Sequence, residues 1–551
     1  MLFLTPRKAL SRSVGIKLRR TFANPLGVQP IVISRTQDID SLPADGKPFI
    51  AVTHASVLLR RLVAQPTLLG SLDLIVAHDL HALDPAYELL LSRLRWVYPS
   101  ARVVGSSSSL QDATDVSSWL GAPALSTYAF APSARSSALT TTYHAFSAPH
   151  SMGLLRSMVK PAYDAMRTAS STLCIVPSRA QCRTTARDLV TQTASNLEDS
   201  FVLQSLETVE VLAETLSDPE LAEALTHGIA VYHDGLRPEE QALALRLFDS
   251  GYIRVLIAPR EACWTLPVRA SLVIVLGAQF VASRADHERE IQDYPLADLL
   301  QMQSLAVTQP ESGAAACLVL CQKEQAELYA RFLLHGVPLE SSLTPDASFD
   351  PTFLSIIFAD MLAGRITDRQ GLVDCLSWTF LARRVQSSPA YYGEPSPQDD
   401  HLARLADRLV ATLEARCAVL ATGKTDFAPS RLATLYSERG VGLDDVQRIQ
   451  ETSLDRLVAL SKSAKLAPHP NGDAANGADD ASPLASFHQR LPRAVKDAIR
   501  ESDPTVELMD TDEYERRILL GAWAAGRVPR GAGGLEERQR ELVKRLLDAK
   551  A

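Results

Sequence analysis

GIAVYHDGLRPEEQALALRLFDSGYIRVLIAPREACW, residues 228–264, decides the fold class. Ile229 to Tyr232 is a short apolar run closed by the turn pair Asp234-Gly235. Pro238, which needs no amide donor in a first helical turn, is followed by Glu239 and Glu240, whose carboxylates suit the positive end of a helix dipole. Leu243, Ala244, Leu247 and Phe248 fall on one helical face. Ser250-Gly251 ends that helix, and Ile253 to Ala258 is apolar and rich in branched side chains, as a strand buried on both faces requires. Strand, helix and strand of this length predict a right-handed parallel crossover.

The chain has 551 residues, too many for one core, and about 150 residues per domain gives roughly three to four domains. A hydrophobic content of 46% with 22% charged residues is that of a folded protein. The net charge of −8 argues against a chain held to nucleic acid by bulk electrostatics, and leaves a local basic groove open. Seven cysteines without a CxxC pair speak against a disulfide framework or a zinc ribbon and for a reducing compartment. Cys317 and Cys321 flank a strand-like LVL and read as buried thiols. No apolar run approaches the roughly 18 residues of a membrane span, so no membrane partner is expected. Met1 to Gln37 holds seven basic residues and no acidic one, the composition of a mitochondrial presequence.

In chain order, Leu2 to Leu4, Ile31 to Ser34, Phe49 to Val52, Leu72 to Ala77 and Arg102 to Val104 read as strands, with helices at Tyr87 to Val97 and Asp112 to Leu120. Residues 1–150 are therefore expected to form a parallel α/β lobe. A second lobe is expected over 151–345, with a helix at Leu154 to Thr168, strands at Thr172 to Val176, Ser271 to Leu276 and Ala316 to Leu320, and a helical insertion at Leu206 to Leu225. From Ser348 onward helices dominate, which suggests a small helical or winged-helix module over 346–425. Residues 426–551 follow as a helical unit, interrupted at 467–483 by a Gly/Ala/Asp-rich linker of disordered composition.

Two parallel lobes whose strands end in polar loops suggest a RecA-like pair around a nucleotide cleft. LFLTPRKAL, LIVAHDLH, VVGSSSSLQDATDVSSWLG, CIVPSRAQCRTTARDL, the opening stretch, DYPLADLLQM, CLVLCQKEQAELYARFLLHGVPLESSL and DCLSWTFLARRVQSSPAYYG occur in this order. Together they resemble the second helicase cassette of the tandem-cassette DExH-box RNA helicases of the spliceosome. The resemblance spans about Leu2 to Gly393 and fades through PSRLATLY and RRILLGAWAAGRVP, which look like remnants of the family's C-terminal helical and immunoglobulin-like unit. It implies two RecA-like lobes and a winged helix, ATP and magnesium as the family's cofactors, and a nuclear setting. It also implies an active helicase cassette, splicing factors and RNA as candidate partners. Thr5, Pro6, Arg7, Lys8, Thr53, Ser178 and Arg179 match positions that touch the RNA backbone in the family, which would explain the basic start better than a targeting peptide. A solvated basic helix is the alternative reading.

The same resemblance locates what the chemistry lacks. ATP phosphates need a Gly-rich loop ending in Lys-Ser/Thr, and no GxxxxGK[ST] occurs. Gly423-Lys424-Thr425 has Ala418 where the first glycine belongs. In the family the phosphate loop precedes the motif that here begins at Leu2, so the first lobe is expected to start after it and to leave neighbouring strands unpaired. The DExH box reads His78, Asp79, Leu80 and His81, putting an imidazole where magnesium wants oxygen. His78 and His81 could be read as a zinc pair, without a third ligand. Where active members carry QxxGRAGRP, this chain reads Gln301-Met302-Gln303-Ser304-Leu305-Ala306-Val307-Thr308, without an arginine to stabilise the transferring phosphate. Asp79 and Gln301 remain as remnants of a nucleotide site. Trp378 and Phe380 read as core. The expectation is a binding platform derived from a motor.

Overall fold

In the computed structural model the described residues are 1–415, apart from 44–46, 136–137, 150, 196–199, 284–288, 309–313, 345–347 and 394–400. With them come 419–421, 427–429, 489–491, 493, 496, 499, 511–524 and 535–548. Gly423 to Thr425, the 467–483 linker and all of PSRLATLY but Pro429 lie outside them. Two compact units result, Met1–Asp346 with Trp378–Pro397, and Ala347–Ser377 with Gln398–Ala551.

The first unit begins with β1 (Leu2–Thr5), α1 (Lys8–Leu26), β2 (Ile31–Ile33), β3 (Ala51–His54), α2 (Ala55–Ala64), β4 (Leu74–Ala77), α3 (Pro85–Val97), β5 (Arg102–Gly105) and α4 (Ala113–Trp119). The strands form one parallel sheet in the order β2-β3-β1-β4-β5. β1 is the middle strand, with Leu2 and Leu4 fully buried, so the basic N-terminal stretch is part of the fold. β5 is an edge. Arg102 and Ser106 donate their amides to Asp73 and Ala77 on the β4 side, both at 2.9 Å, and strand alternation then turns the amides and carbonyls of Val103 and Gly105 outward. Val104 is 41% exposed beside them.

β6 (Leu139–Phe146) opens the second lobe. It pairs in parallel along its whole length with a strand of the second sheet, so the chain crosses between lobes before residue 139, and not at the expected 150. Its burial alternates, and its Thr-rich sequence lacks the apolar run used to find strands. There follow α5 (Met152–Thr168), β7 (Thr172–Val176), α6 (Arg179–Ser195), α7 (Leu206–Ala213), α8 (Pro219–Thr226), β8 (Ile229–Val231), α9 (Pro238–Asp249) and β9 (Val255–Pro259). The lobe is completed by β10 (Leu272–Leu276), a hairpin of β11 (Gln279–Ser283) with β12 (Arg289–Asp293), α10 (Leu296–Ser304), β13 (Ala315–Gln322) and α11 (Lys323–His335). The sheet order is β6-β13-β10-β7-β9-β8.

The opening stretch of sequence is β8, α9 and β9, with β8 and β9 adjacent and parallel. Pro238 starts α9 and Glu240 closes a capping box with Arg237. Gly228 has φ +76°, and the backbone of Phe201 occupies the space that a Cβ would need. Glycine is therefore required where the chain turns into β8.

The second unit contains α12 (Pro351–Leu362) and α13 (Arg369–Ser377). α14 (Phe380–Ser387) belongs to the first unit, whereas α15 (His401–Ala415) and the hairpin of β14 (Val419–Ala421) with β15 (Phe427–Pro429) return to the second. Three helices and a hairpin make a winged helix, with Asp350 capping α12 and Arg369 holding Asp407 in a two-pronged pair at 2.6 and 2.7 Å. α16 (Thr511–Ala524) packs with α17 (Leu535–Asp548), where Arg538 holds the buried Glu515.

Candidate functional site

The four residues after β4 stand at the carboxyl end of the first sheet, where parallel α/β folds collect their chemistry. Asp79 has φ +54° and ψ +53°, and it is the non-glycine residue with positive φ among the described residues. Left-handed backbone costs an L-residue roughly 1–2 kcal/mol. The carboxylate lies 3.2 Å from His78 Nε2, and His78 Nδ1 meets Ser106 Oγ at 3.0 Å. Leu80 is buried. The Ser108 amide donates to His81 Nδ1 at 3.2 Å, which leaves the ring proton on Nε2. That Nε2 is buried and has no hydrogen-bond partner among the described residues, and burial lowers the His81 pKa, so the ring is neutral. The two imidazoles are thus tied to different serine-loop groups. A histidine bonded to the Asp79 carboxylate is a poor donor set for magnesium, which prefers oxygen ligands.

The candidate RNA contacts divide. Thr5 and Thr53 are fully buried, Thr5 Oγ1 sharing a 2.8 Å hydrogen bond with Ser11 Oγ and Thr53 Oγ1 donating to the Ile33 carbonyl at 3.3 Å. Pro6 is buried and its carbonyl meets His54 Nε2 at 3.0 Å. Lys8 and Ser178 are exposed. Arg179 pairs with Asp234 at 2.5 Å, still half exposed. Arg7 reaches across to the second lobe, where its Nη2 donates to Asp298 Oδ1 at 3.0 Å.

In α10, Gln301 donates to the Cys263 carbonyl at 3.1 Å and Ser304 to the Gln301 carbonyl at 2.7 Å. Leu305 is buried and Thr308 exposed. Gln301 therefore serves the packing of α10 against the turn at Arg260–Trp264.

Several residues that organise this region were not singled out in the sequence. Asp298 is 1% exposed and accepts from Arg7, Arg260 and Trp264 Nε1, the last at 2.8 Å. Its signal was an acid among apolar neighbours in PLADLL, on the buried face of α10. Glu88 is wholly buried in α3 and accepts from Ser341 Oγ at 2.8 Å and from the Leu381 amide at 2.9 Å. Burial pushes its carboxyl up to about 7. Arg384 donates two-pronged to Glu340 at 3.0 and 2.6 Å and also pairs with Asp115, which fastens α14 to the first lobe. Phe380 is buried as expected, but Trp378 is 47% exposed, and its carbonyl accepts from Trp119 Nε1 at 3.1 Å.

A family model described as a winged helix-turn-helix domain matches residues 347–421. The human U5 small nuclear ribonucleoprotein 200 kDa helicase is 30% identical over 450 residues, covering 79% of this chain and 21% of that protein. The chain belongs to the U5 200 kDa helicase family. Its Drosophila melanogaster counterpart is 32% identical over 363 residues, 64% of this chain and 16% of that protein. The DExH-box ATP-dependent RNA helicase DExH12 of Arabidopsis thaliana is 28% identical over 489 residues, 84% and 22% of the two chains. This chain thus spans about a fifth of the length of these relatives. The solved structure of Escherichia coli DEAH/RHA helicase HrpB matches with a TM-score of 0.49 at 16% identity, covering 98% of this chain and 57% of that one. The chain carries the fold of a U5-type DExH-box helicase cassette. Among the described residues no helix is long and apolar enough to cross a membrane.

Proposed function

We propose that this chain is a degenerate cassette of a spliceosomal RNA helicase that works as a protein-interaction and regulatory platform in pre-mRNA splicing. The observation that carries the reading is the His78–Asp79 pair, in which the acidic remnant of the DExH box is engaged by a neighbouring imidazole at 3.2 Å. Facing chemistry agrees, since QMQSLAVT offers no arginine for a transferring phosphate, and loss of an arginine finger alone costs about a thousandfold in rate. Arg7 and Arg179, the arginines of the candidate RNA face, are paired with Asp298 and Asp234. Splicing factors and an active helicase cassette are the proposed partners, RNA a secondary one, and the nucleus the proposed location. The test is phosphate release with ATP, magnesium and single-stranded RNA, alongside unwinding by an active cassette with and without this chain. Turnover above background by this chain, or an unwinding rate that it leaves unchanged, would refute the platform.

A second reading is favoured by the edge of β5. A trough of about 740 Å³ lined by Val103, Val104, Ser106 to Ser109 and Phe130 lies beside it. We infer as the alternative that an upstream phosphate-loop segment completes this lobe and restores nucleotide binding and RNA unwinding. Joining such a segment to Met1 and regaining RNA-stimulated hydrolysis would establish it over the platform.

A further inference from the structure

Asp298 is the meeting point of the two lobes. Its Oδ1 accepts from Arg7 Nη2 of the first lobe at 3.0 Å and from Trp264 Nε1 of the second at 2.8 Å, while Oδ2 is held by Arg260. The Arg7 guanidinium lies 5.2 Å from the centre of the Trp264 ring. The His81 ring of the first lobe stacks with the same indole, 6.3 Å between centres at 21°. Leu10 and Ala82, also of the first lobe, pack against the second lobe's core. Arg260 is itself fixed, 4.0 Å from the Phe280 ring centre and 5.7 Å from that of Tyr294. Apolar contact, ring stacking and a two-arginine, one-carboxylate node therefore coincide at one interlobe patch, at the carboxyl end of β1 and β4.

We propose that this patch is a clamp that keeps the two lobes closed independently of nucleotide. Asp298 at 1% and Arg260 at 13% side-chain exposure form the fixed half, and Arg7 at 45% is the movable latch. Opening takes one of its two cations from a carboxylate buried at this depth, which is costly, so it must bring water to Asp298 and separate His81 from Trp264 at once. The clamp also sets a competition. A phosphate backbone reaching Arg7 has to displace Asp298 from it. The inference goes beyond the platform reading and would stand even if this chain hydrolysed ATP.

Amide hydrogen exchange on the whole chain, with and without ATP and magnesium, tests it. In the wild type, the turns Leu80–Ala82 and Arg260–Trp264 should be equally protected in both conditions. Arg7→Ala should raise exchange about tenfold or more in both turns together while β10 stays protected, and Arg7→Glu, which sets like charge against Asp298, should exceed it. Arg7 is peripheral enough that these variants fold, and Asp298→Asn should reproduce the two-sided effect. Unchanged protection in the Arg7 variants would overturn the clamp. So would loss confined to Arg260–Trp264, which would make Asp298 a matter of second-lobe packing only, or protection that appears only with ATP.

Discussion

Glu88→Gln should make the first unit more stable at pH 8 and nearly unchanged at pH 4.5. Glu88 is completely buried and accepts from the Ser341 hydroxyl and the Leu381 amide, with the Phe380 amide beside them, and among the described residues no cation is bonded to it. Its carboxyl is raised from 4.5 to about 7, first by desolvation, against which the hydrogen bonds act only partly. Between those two pH values the folded chain holds a proton that the unfolded chain has released. The stabilisation is therefore full below pH 4.5 and is lost as pH rises through 7. A shift of roughly 2.5 units at about 1.36 kcal/mol each is on the order of 3 kcal/mol. Glutamine keeps the shape, accepts from the Leu381 amide with its carbonyl and can donate to Ser341, but has nothing to ionise. Urea unfolding at pH 4.5, 6, 7 and 8, followed by tryptophan fluorescence, reads the difference, since Trp119 sits 5.2 Å from Phe380 beside this contact. Wild-type and variant curves that run parallel in pH, or a variant less stable than wild type at pH 8, would refute the assignment of a buried, proton-holding carboxyl.

Phe380→Ala should cost about 3–5 kcal/mol, and Trp378→Ala, despite the larger side chain, under about 1 kcal/mol, because the first is fully buried and the second 47% exposed; thermal unfolding separates them. Asp79→Gly relieves left-handed strain but gives up the His78 contact, and the net expected from chemical denaturation is a change within about 1 kcal/mol in either direction. The same variant should leave phosphate release at background, whereas a fall from measurable turnover would show that Asp79 serves a nucleotide. The Cys317 and Cys321 thiols, pushed up to about 12 by burial, should resist iodoacetamide at pH 8 in the native protein. Mass spectrometry should find Cys375, which is partly exposed, modified first among the described cysteines.

The buried strands were legible in the sequence because a strand covered on both faces leaves an unbroken apolar run. Thr172 to Val176, Ile253 to Ala258 and Ser271 to Leu276 all became strands within two residues of their expected limits. β6 was missed for the converse reason. An edge strand covered on one face alternates, and LTTTYHAF carries its alternation on threonines. β12 lies in water along its whole length, so it too had no apolar signature. At the site, the sequence exposed the altered boxes but not their bonding. That His78 would turn onto Asp79, or that Arg7 would find Asp298 across 291 residues of chain, depends on how the lobes meet, which no local pattern encodes. Trp378 misled because aromatic residues are usually inside, and only the neighbouring Phe380 follows that rule.

The bare edge of β5 bears on how the protein should be handled. Edge strands of soluble proteins are commonly guarded by lysine, proline or a bulge. β5 has none of these, and Val104, Tyr128 and Phe130 stand exposed around it. Two molecules meeting there could zip through main-chain hydrogen bonds, so concentration, and not temperature, should be the first threat to a pure sample. Val104→Lys would then act as a gatekeeper, keeping the sample monodisperse while leaving the His78–Asp79 pair and the Asp298 node in place.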